Sequence, residues 1–281
     1  MKLKYKLIDK LAGLSRKELD FLLYIVRFQD ETGKVEGVYY KDVCWHTGMC
    51  KQTFYNILSS LSQKGIIRFE RICSEENQDY NILILDNDFS YLESYREGYV
   101  SLNRKLFRRL AWRQLKAREK YMLLDLMRYT CTGQKRFTVT RKDFFERYTD
   151  SFQSSCQVIR TYLPHLKKLF SFRFSRGIYT IEYRQELDHF QENKKTGAEQ
   201  RREYNACVLF RRSGEKAATQ WQIKEVADLI AQYTNKARIA GKNLSKLLLA
   251  ALMKARQETG KEFFDIKLIH RLLRNSLLIS S

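Results

Sequence analysis

An internal repeat constrains this chain more than any other feature of its sequence. Residues 14–28 and residues 115–129 share one pattern at an offset of 101. Both stretches are predicted to be helices, because apolar residues recur at helical spacing in matching positions. Ser15 and Glu18 have the spacing of a capping box at the start of the first helix. The matching apolar positions are Leu22, Ile25 and Val26 in the first copy and Leu123, Leu126 and Met127 in the second.

The first copy continues with a regular series of predicted elements. Gly48 lies in a turn between two helices, because glycine tolerates the positive φ of a tight corner. Gly65 follows the last helical residue, where a helix C-terminus favours glycine. The predicted elements are a strand at 38–42 leading into a helix at 41–46, a helix at 50–64, strands at 66–69 and 80–85, and a turn at 73–79 between those strands.

The second copy follows the same order. Pro164 lies inside its third helix, where proline removes a backbone donor and kinks the chain. Ile159, Leu163 and Leu166 match the core positions Phe54, Leu58 and Leu61 of the first copy. The predicted elements are a strand at 138–140, a helix at 141–148, a turn at 149–151, a helix at 154–169, and strands at 171–174 and 178–183 around a tight turn at 175–177.

Helix, strand, helix, turn, helix and hairpin is the order of a winged helix-turn-helix domain. Residues 46–67 resemble that family most clearly, in the Lys51-Gln-Thr start of the helix and the Lys64-Gly-Ile-Ile exit toward the hairpin. We therefore expect a mainly α (α+β) fold: two tandem winged helix-turn-helix domains and a small helical C-terminal domain. The expected boundaries are 1–90, 91–184, a linker with helical pieces at 185–218, and a C-terminal domain at 219–281 with helices at 219–233, 243–258 and 265–274.

Composition narrows the class of protein. The chain has 281 residues, 52 Lys and Arg against 32 Asp and Glu, and a formal net charge of +20. Such a charge implies a polyanionic partner, either nucleic acid or an acidic membrane surface. The sequence contains no run of about 18 apolar residues, so a membrane span is not predicted. The start of the chain lacks the apolar core of a secretory signal. The six scattered cysteines are expected to be reduced thiols in a cytoplasmic protein.

The charge is distributed unequally between the two copies. Residues 1–90 have a net charge of zero, residues 91–184 of +13 and residues 185–281 of +7. The tip of the first hairpin, 74–79, is acidic and would be repelled by phosphates, whereas Arg176 occupies the tip of the second. Residues predicted to grip the DNA backbone are Arg104, Arg108, Arg109, Arg113, Lys116 and Arg118 around the first helix of the second copy, with Arg173 and Arg176 in its hairpin.

Base contacts are expected from the outward face at the start of each third helix, which enters the major groove in this family. Lys pairs guanine acceptors, whereas Gln and Asn suit the adenine edge. A neutral first copy is alternatively a dimerisation or partner surface. The expected base-contacting residues are Lys51, Gln52, Thr53, Tyr55 and Asn56 in the first copy and Ser155, Gln157, Arg160 and Thr161 in the second.

Catalytic and metal chemistry are not predicted. Cys44, His46 and Cys50 are close in sequence but lack a fourth ligand at a zinc-site spacing, and packing explains them better. The histidines are isolated, and no phosphate-binding Gly-x4-Gly-Lys-Ser/Thr loop is present. We therefore expect a protein without enzymatic activity, cofactor or metal.

Two diverged winged helices in one chain resemble the plasmid-type replication initiators. The resemblance covers roughly residues 10–184 and implies that the first copy forms a homodimer while the second binds double-stranded DNA repeats at an origin. It leaves the C-terminal helices for the replication or transcription machinery. The alternatives are a transcription regulator bound to an operator, and a protein-interaction scaffold, against which the +13 of one copy argues.

Overall fold

The structure is a computed structural model that describes residues 1–73, 78–102, 110–130, 136–184, 196–215, 217–259 and 264–278. It is a mixed fold of helices and small antiparallel sheets. The chain divides into two compact units that are discontinuous in sequence. The first unit comprises Met1–Val35, Tyr40–Phe69 and Ile82–Asn193, and the second comprises Glu36–Tyr39, Glu70–Asn81 and Lys194–Ser281.

The first repeat (residues 14–85) has the predicted order of elements, but its first strand lies at Lys34–Val38 and not at the predicted 38–42, because the helix already begins at Tyr40. Ser15 forms a capping box with Glu18 at the start of its first helix, and Gly48 and Gly65 both adopt positive φ. The hairpin strands are longer than predicted, so that the predicted turn residue Asp79 lies in a strand. The elements up to this point are β1 (Lys2–Lys4), α1 (Tyr5–Asp9), α2 (Arg16–Ile25) with a 3₁₀ turn (Val26–Phe28), β2 (Lys34–Val38), α3 (Tyr40–Thr47), α4 (Lys51–Gln63), β3 (Ile67–Cys73) and β4 (Gln78–Ile84).

The second repeat (residues 115–183) has the same order, with two corrections. Its second helix continues to Phe152, so the turn follows at Gln153. Gln153 has a positive φ of 47° at the corner where the first repeat has a glycine. Its third helix passes through Pro164 but ends at Leu166, three residues earlier than predicted. The elements are β5 (Tyr99–Ser101), α5 (Leu110–Gln114), α6 (Ala117–Thr130), β6 (Arg136–Thr140), α7 (Arg141–Phe152), α8 (Cys156–Leu166), β7 (Phe170–Ser175) and β8 (Ile178–Tyr183).

Strand order is the same in both repeats. The returning strand of each hairpin is central, giving the orders β2-β4-β3 and β6-β8-β7. In the second sheet Thr140 is opposite Ile178, and Phe174 is opposite Tyr179. A separate two-stranded sheet joins β1 to β5, with Leu3 opposite Val100. The shared order supports the internal repeat at the level of backbone pairing.

The third helices of the two repeats bury corresponding faces. In α8 the buried residues are Ile159, Tyr162 and Leu166, and Leu163 is only half-buried. Leu163 is therefore less buried than its predicted counterpart Leu58, while Tyr162 takes the position of Ile57. In α4 the buried residues are Phe54, Ile57, Leu58 and Leu61.

Helix α6 is buried on nearly all sides within the first unit, and its polar side chains have polar partners. Lys120, fully buried, forms an ion pair with Asp20 on α2. Glu119 accepts a hydrogen bond from Nδ1 of His165 at 2.6 Å. Asp125 accepts from the Tyr148 hydroxyl at 3.0 Å and pairs with Arg147.

The described part of the second unit consists of four helices together with residues of β2, β3 and β4. Within the stretch 185–218, predicted to be a linker with helical pieces, residues Gly197–Arg212 form the single long helix α9, which begins with a capping box of Thr196 and Glu199. Leu209 and Phe210 of α9 are buried against the other helices. The rest of the helix is largely polar, so its apolar periodicity in the sequence is weak. The Thr219–Gln222 capping box is present as predicted. The four helices are α9 (Gly197–Arg212), α10 (Gln220–Ile239), α11 (Leu244–Thr259) and α12 (Ile266–Leu278).

Candidate nucleic-acid interface

The hairpin tip of the second repeat is a two-residue turn between β7 and β8. Arg176 and Gly177 both have positive φ, 48° and 80°. Two successive positive φ values are those of a type I′ turn, whose twist matches that of the flanking strands. An arginine in the left-handed region costs about 1 kcal/mol relative to its relaxed backbone. The turn holds the Arg176 side chain at the exposed end of the hairpin.

The tip lies beside the start of α7. The backbone N–H of Arg141 donates to the carbonyl oxygen of Gly177 at 2.8 Å. The guanidinium of Arg141 lies 6.0 Å from the Phe174 ring, and that of Arg160 lies 5.5 Å from the Phe145 ring. Cationic side chains of α7 and α8 thus surround one open depression of about 530 Å³, which Gly177 of the hairpin turn also lines. Its lining consists of Thr140, Arg141, Lys142, Phe145, Glu146, Cys156, Arg160 and Gly177.

The charges around this depression are little compensated. Lys142 approaches Glu146 at 3.7 Å, but both side chains are exposed, and such pairs contribute little. Within the described ranges, no carboxylate lies at ion-pair distance from Arg141, Arg160 or Arg176. Neighbouring aromatic rings orient the guanidinium groups of Arg141 and Arg160 without neutralising them. A polyanion is the ligand class that such a surface attracts.

The predicted base-contacting residues of α8 lie together on its outward face. Ser155 is the N-cap residue, and Gln157 and Arg160 follow on the exposed side. Thr161 is also exposed, but its hydroxyl donates to the carbonyl oxygen of Val158 at 2.7 Å. The structure thus brings these four residues close to the depression, and Arg160 belongs to both groups.

Arg173, predicted to contact the DNA backbone, has a carboxylate at ion-pair distance. Its guanidinium lies 3.6 Å from Glu182, which also binds Arg136 at 2.6 Å across the sheet. The side chains of Arg136, Arg173 and Glu182 lie on one face of the sheet, and the Glu182 carboxylate offsets part of the positive charge of the two arginines. Arg173 remains exposed, so it lies at the edge of the cationic surface with a reduced electrostatic contribution.

The other residues predicted to contact the DNA backbone do not lie together. Arg113 lies in a different groove, together with residues of α2 and α3. Arg118 binds inward, donating to the backbone oxygen of Phe152 and to the hydroxyl of Ser154. Lys116 is exposed. Arg104, Arg108 and Arg109 lie outside the described residues.

In the first repeat, the predicted residues form one outward face on α4, but several are bound to one another. The amide of Gln52 donates to Asn56 Oδ1 at 2.9 Å. Lys51 Nζ lies 4.9 Å from the ring of Tyr40, which is 6.5 Å from the ring of Tyr55. Thr53 Oγ1 lies 3.1 Å from Cys50 Sγ, and this hydrogen bond is the main cause of a lowered Cys50 pKa.

The structure describes only part of the predicted acidic tip at 74–79 of the first hairpin. Residues 74–77 lie outside the described residues, but Asp79 is buried, with 2 % exposure. Both of its carboxylate oxygens accept from Arg212 of α9, at 2.8 and 3.1 Å. The carbonyl oxygen of Gly37 accepts from Arg211 and Tyr204 of the same helix. Helix α9 therefore contacts this hairpin at Asp79 within the second unit, while most residues of β3 stay exposed.

Two cationic residues that line the depression are absent from the residues predicted from the sequence. Arg141 and Lys142 open α7, although cations at a helix N-terminus oppose the macrodipole. That unfavourable placement was the signal that could have identified them. Phe174 and Ile178, 53 % and 45 % exposed, flank the turn at Arg176 and add apolar surface to the tip.

No group of three or more His, Cys, Asp and Glu side chains among the described residues is arranged to hold a metal ion. His46, from the cysteine–histidine cluster, instead directs Nδ1 to the Asp42 carbonyl oxygen at 2.8 Å.

Comparisons with known proteins provide no family assignment. No protein-family model matches the chain, and neither the curated proteins nor the solved structures include a significant match. None of the helices in the described ranges combines the length and the apolar content needed to cross a bilayer.

Proposed function

We propose that this protein is a sequence-specific double-stranded DNA-binding protein built on two tandem winged helix-turn-helix domains, and that it acts as a plasmid or mobile-element replication initiator. It would bind repeats at an origin, without enzymatic activity, in the cytoplasm where that DNA resides. The observation that carries the proposal is the joint placement of the exposed start of α8, the start of α7 and the Arg176 turn.

Each part of this surface suits a different part of a duplex. The α8 face, with Gln157 and Arg160, has the residue types that contact base edges in the major groove. Arg176 at a narrow hairpin tip suits the minor groove, whose negative potential attracts arginine. Arg141 and Lys142 at the start of α7 would contact the intervening phosphates, which fix the orientation of the protein on DNA.

The two repeats would have different roles. The second carries the larger positive charge and the uncompensated cationic surface, so it provides the main DNA grip. The first has no net charge over residues 1–90, and Asp79 of its hairpin is bound by Arg212 of α9, so it would serve homodimerisation or contribute only its α4 face. The helices of the second unit would contact the replication machinery.

Footprinting on the DNA that flanks the gene tests the proposal. We expect protection of direct repeats, together with loss of replicon maintenance when the gene is deleted. Protection of an inverted repeat over a promoter, with altered transcription on deletion, would assign the protein to transcription regulation instead. An absence of duplex binding at any site would reject both functions and favour a protein-interaction scaffold.

Substitutions in the second repeat test which residues contribute to the affinity for duplex DNA. Arg160→Ala should weaken duplex binding and flatten its salt dependence, by a log–log slope of about 0.9 for each phosphate that the variant no longer neutralises. Arg173→Glu should also weaken binding, because it places a second carboxylate beside Glu182. If both variants bind as the unmodified protein does, the second repeat is not the grip.

The α4 face is tested by its hydrogen-bonded pair. Gln52→Ala combined with Asn56→Ala should change which DNA sequences are selected more than it changes affinity. Selection from a random duplex library measures both. If neither changes, the first repeat does not contact bases, and its role in homodimerisation is favoured.

A further inference from the structure

Trp45 is an apolar side chain with 86 % of its surface exposed, near the end of α3 in the first unit. It lines a groove of about 530 Å³ between α2, α3 and α5. The rings of Tyr24 and His46, 5.1 Å apart, continue this wall beside the indole. Exposing an indole to water is unfavourable, and its position in a concave site indicates a ligand with a flat apolar face.

The same groove is cationic. Arg16 and Lys17 at the start of α2 and Arg113 of α5 are exposed along its lining. Lys17 Nζ donates to the Gly48 carbonyl oxygen at 3.3 Å, and the Arg16 guanidinium donates to the backbone oxygen of Arg113, so the groove walls are tied together. Asp20 also lies in the lining; its carboxylate is bound by the buried Lys120 and lies 3.9 Å from the Arg16 guanidinium, so that one carboxylate is shared by two cations. The site therefore has an excess of positive charge beside an exposed aromatic face.

We infer that this groove binds single-stranded nucleic acid, with a base stacked on Trp45 and phosphates bound by Arg16, Lys17 and Arg113. Stacking platforms combined with cationic side chains are how proteins bind unpaired strands without a fixed sequence. A duplex does not fit the same chemistry, because its base faces are already stacked on one another. The inference does not rest on duplex binding, since it involves other residues than those around Arg176.

Fluorescence anisotropy with a labelled 20-nucleotide oligothymidylate tests the inference in the full chain. Trp45→Ala should reduce the affinity by about 10-fold or more, whereas Trp45→Phe, which keeps a ring, should retain most of it. Trp221→Ala is the matched control, since that indole is 55 % exposed but lies on α10, and it should leave the affinity unchanged. Arg16→Ala with Lys17→Ala should reduce the salt dependence.

Two further probes distinguish the ligand class. An abasic strand of the same length carries the phosphates without the bases, and we expect it to bind several-fold more weakly and to be insensitive to Trp45→Ala. Equal binding of both strands, or no effect of Trp45→Ala on the oligothymidylate, would overturn the inference. So would tighter, Trp45-dependent binding of a poly-glutamate peptide, which would indicate an acidic protein partner.

The result is separable from the outcome for duplex DNA. Trp45→Ala should leave duplex binding intact, and substitutions at Arg160 or Arg176 should leave single-strand binding intact. If all of these variants reduce both activities equally, the groove is not a separate site and the inference fails.

Discussion

Arg176 combines an unfavourable backbone conformation with a candidate role in binding a polyanion. The turn demands positive φ at two successive positions, and an arginine occupies the first of them. Glycine would adopt this backbone without steric strain, so the arginine occupies the position against its conformational preference. We attribute its presence to the charge that it places at the hairpin tip.

Arg176→Gly separates these two contributions. The variant should unfold at an equal or higher temperature, because it relieves the left-handed arginine, and should bind duplex DNA more weakly with a salt slope reduced by about 0.9. Thermal unfolding and a salt titration of duplex affinity measure the two effects. Arg176→Lys is the control, since it keeps the charge and should keep the slope. An unchanged slope in the glycine variant would remove Arg176 from the interface.

Glu18 shows how a predicted cap becomes a tertiary contact. Its side chain accepts from Ser15 N, as the capping box predicts, and also from Ser60 Oγ and Lys64 Nζ on α4, at 2.6 and 2.7 Å. Burial alone raises the pKa of this carboxyl, but the hydrogen bonds from Lys64, Ser60 and Ser15 outweigh burial and lower the pKa from 4.5 to about 2.

Acid unfolding should report this carboxylate. Because its pKa is lower in the folded state, the unfolded state binds the proton first, and the contribution of about 3 kcal/mol present above pH 5 is lost as the pH falls toward 2. Glu18→Gln should remove that component from the free energy of unfolding measured against pH. Glu70→Gln, at an exposed carboxylate, is the matched control. A profile in Glu18→Gln as steep as that of the unmodified protein would contradict the assignment.

At the scale of elements, the sequence predicts helices better than it predicts their partners. The polar composition of helix α9 predicts a linker with helical pieces, because it masks the few residues that the helix buries. Its packing against strand β2 requires Gly37, whose φ is 65°. A Cβ at that position would lie 2.6 Å from Val208 Cγ2.

Gly37→Ala should therefore be far more costly than a left-handed alanine alone. The comparison is Gly48→Ala, whose φ of 66° is nearly the same but whose Cβ would meet nothing within 4 Å. We expect Gly48→Ala to cost about 1 kcal/mol in the free energy of unfolding and Gly37→Ala several times more. Adding Val208→Ala to Gly37→Ala should recover part of the difference in chemical denaturation. Equal costs for the two alanine variants would show that α9 does not pack closely on β2.

At the scale of the whole molecule, the first unit joins both repeats through α2 and α6. Asp20 and Lys120 lie 100 residues apart in sequence, and their side chains form an ion pair. Burial lowers the pKa of Lys120, and its contact with Asp20 opposes that effect. The Lys120 ammonium also lies 4.9 Å from the ring of Trp112. The repeats are thus coupled by a buried charge in addition to apolar packing.

A double-mutant cycle on this pair tests the coupling. Asp20→Ala should destabilise the protein by about 3 kcal/mol, because it leaves an uncompensated ammonium in the core. Lys120→Met should cost less, since the apolar chain fills the same space and Asp20 is 19 % exposed. The double variant should approach the stability of the unmodified protein in denaturant unfolding. Strictly additive losses would show that the two side chains do not interact.

The sequence by itself determined the duplicated order of helices and strands, the caps at Ser15 and Thr219, and the turn at Arg176. Each of these depends on interactions within a few residues, such as a side chain reaching the backbone three positions ahead or a residue that tolerates positive φ. For the same reason, the charge imbalance between the repeats and the exposed face of α8 could be inferred from residue order alone.

Only the tertiary structure decided which of these residues meet. It brought Arg141 to the hairpin tip, placed Arg113 beside Trp45 in another groove, and buried Asp79 against Arg212, which lies 133 residues away. Partners so distant leave no periodic pattern in the sequence, because their contact depends on how whole elements pack. The local chemistry of the chain therefore predicts its elements, and packing determines which charges remain available to a ligand.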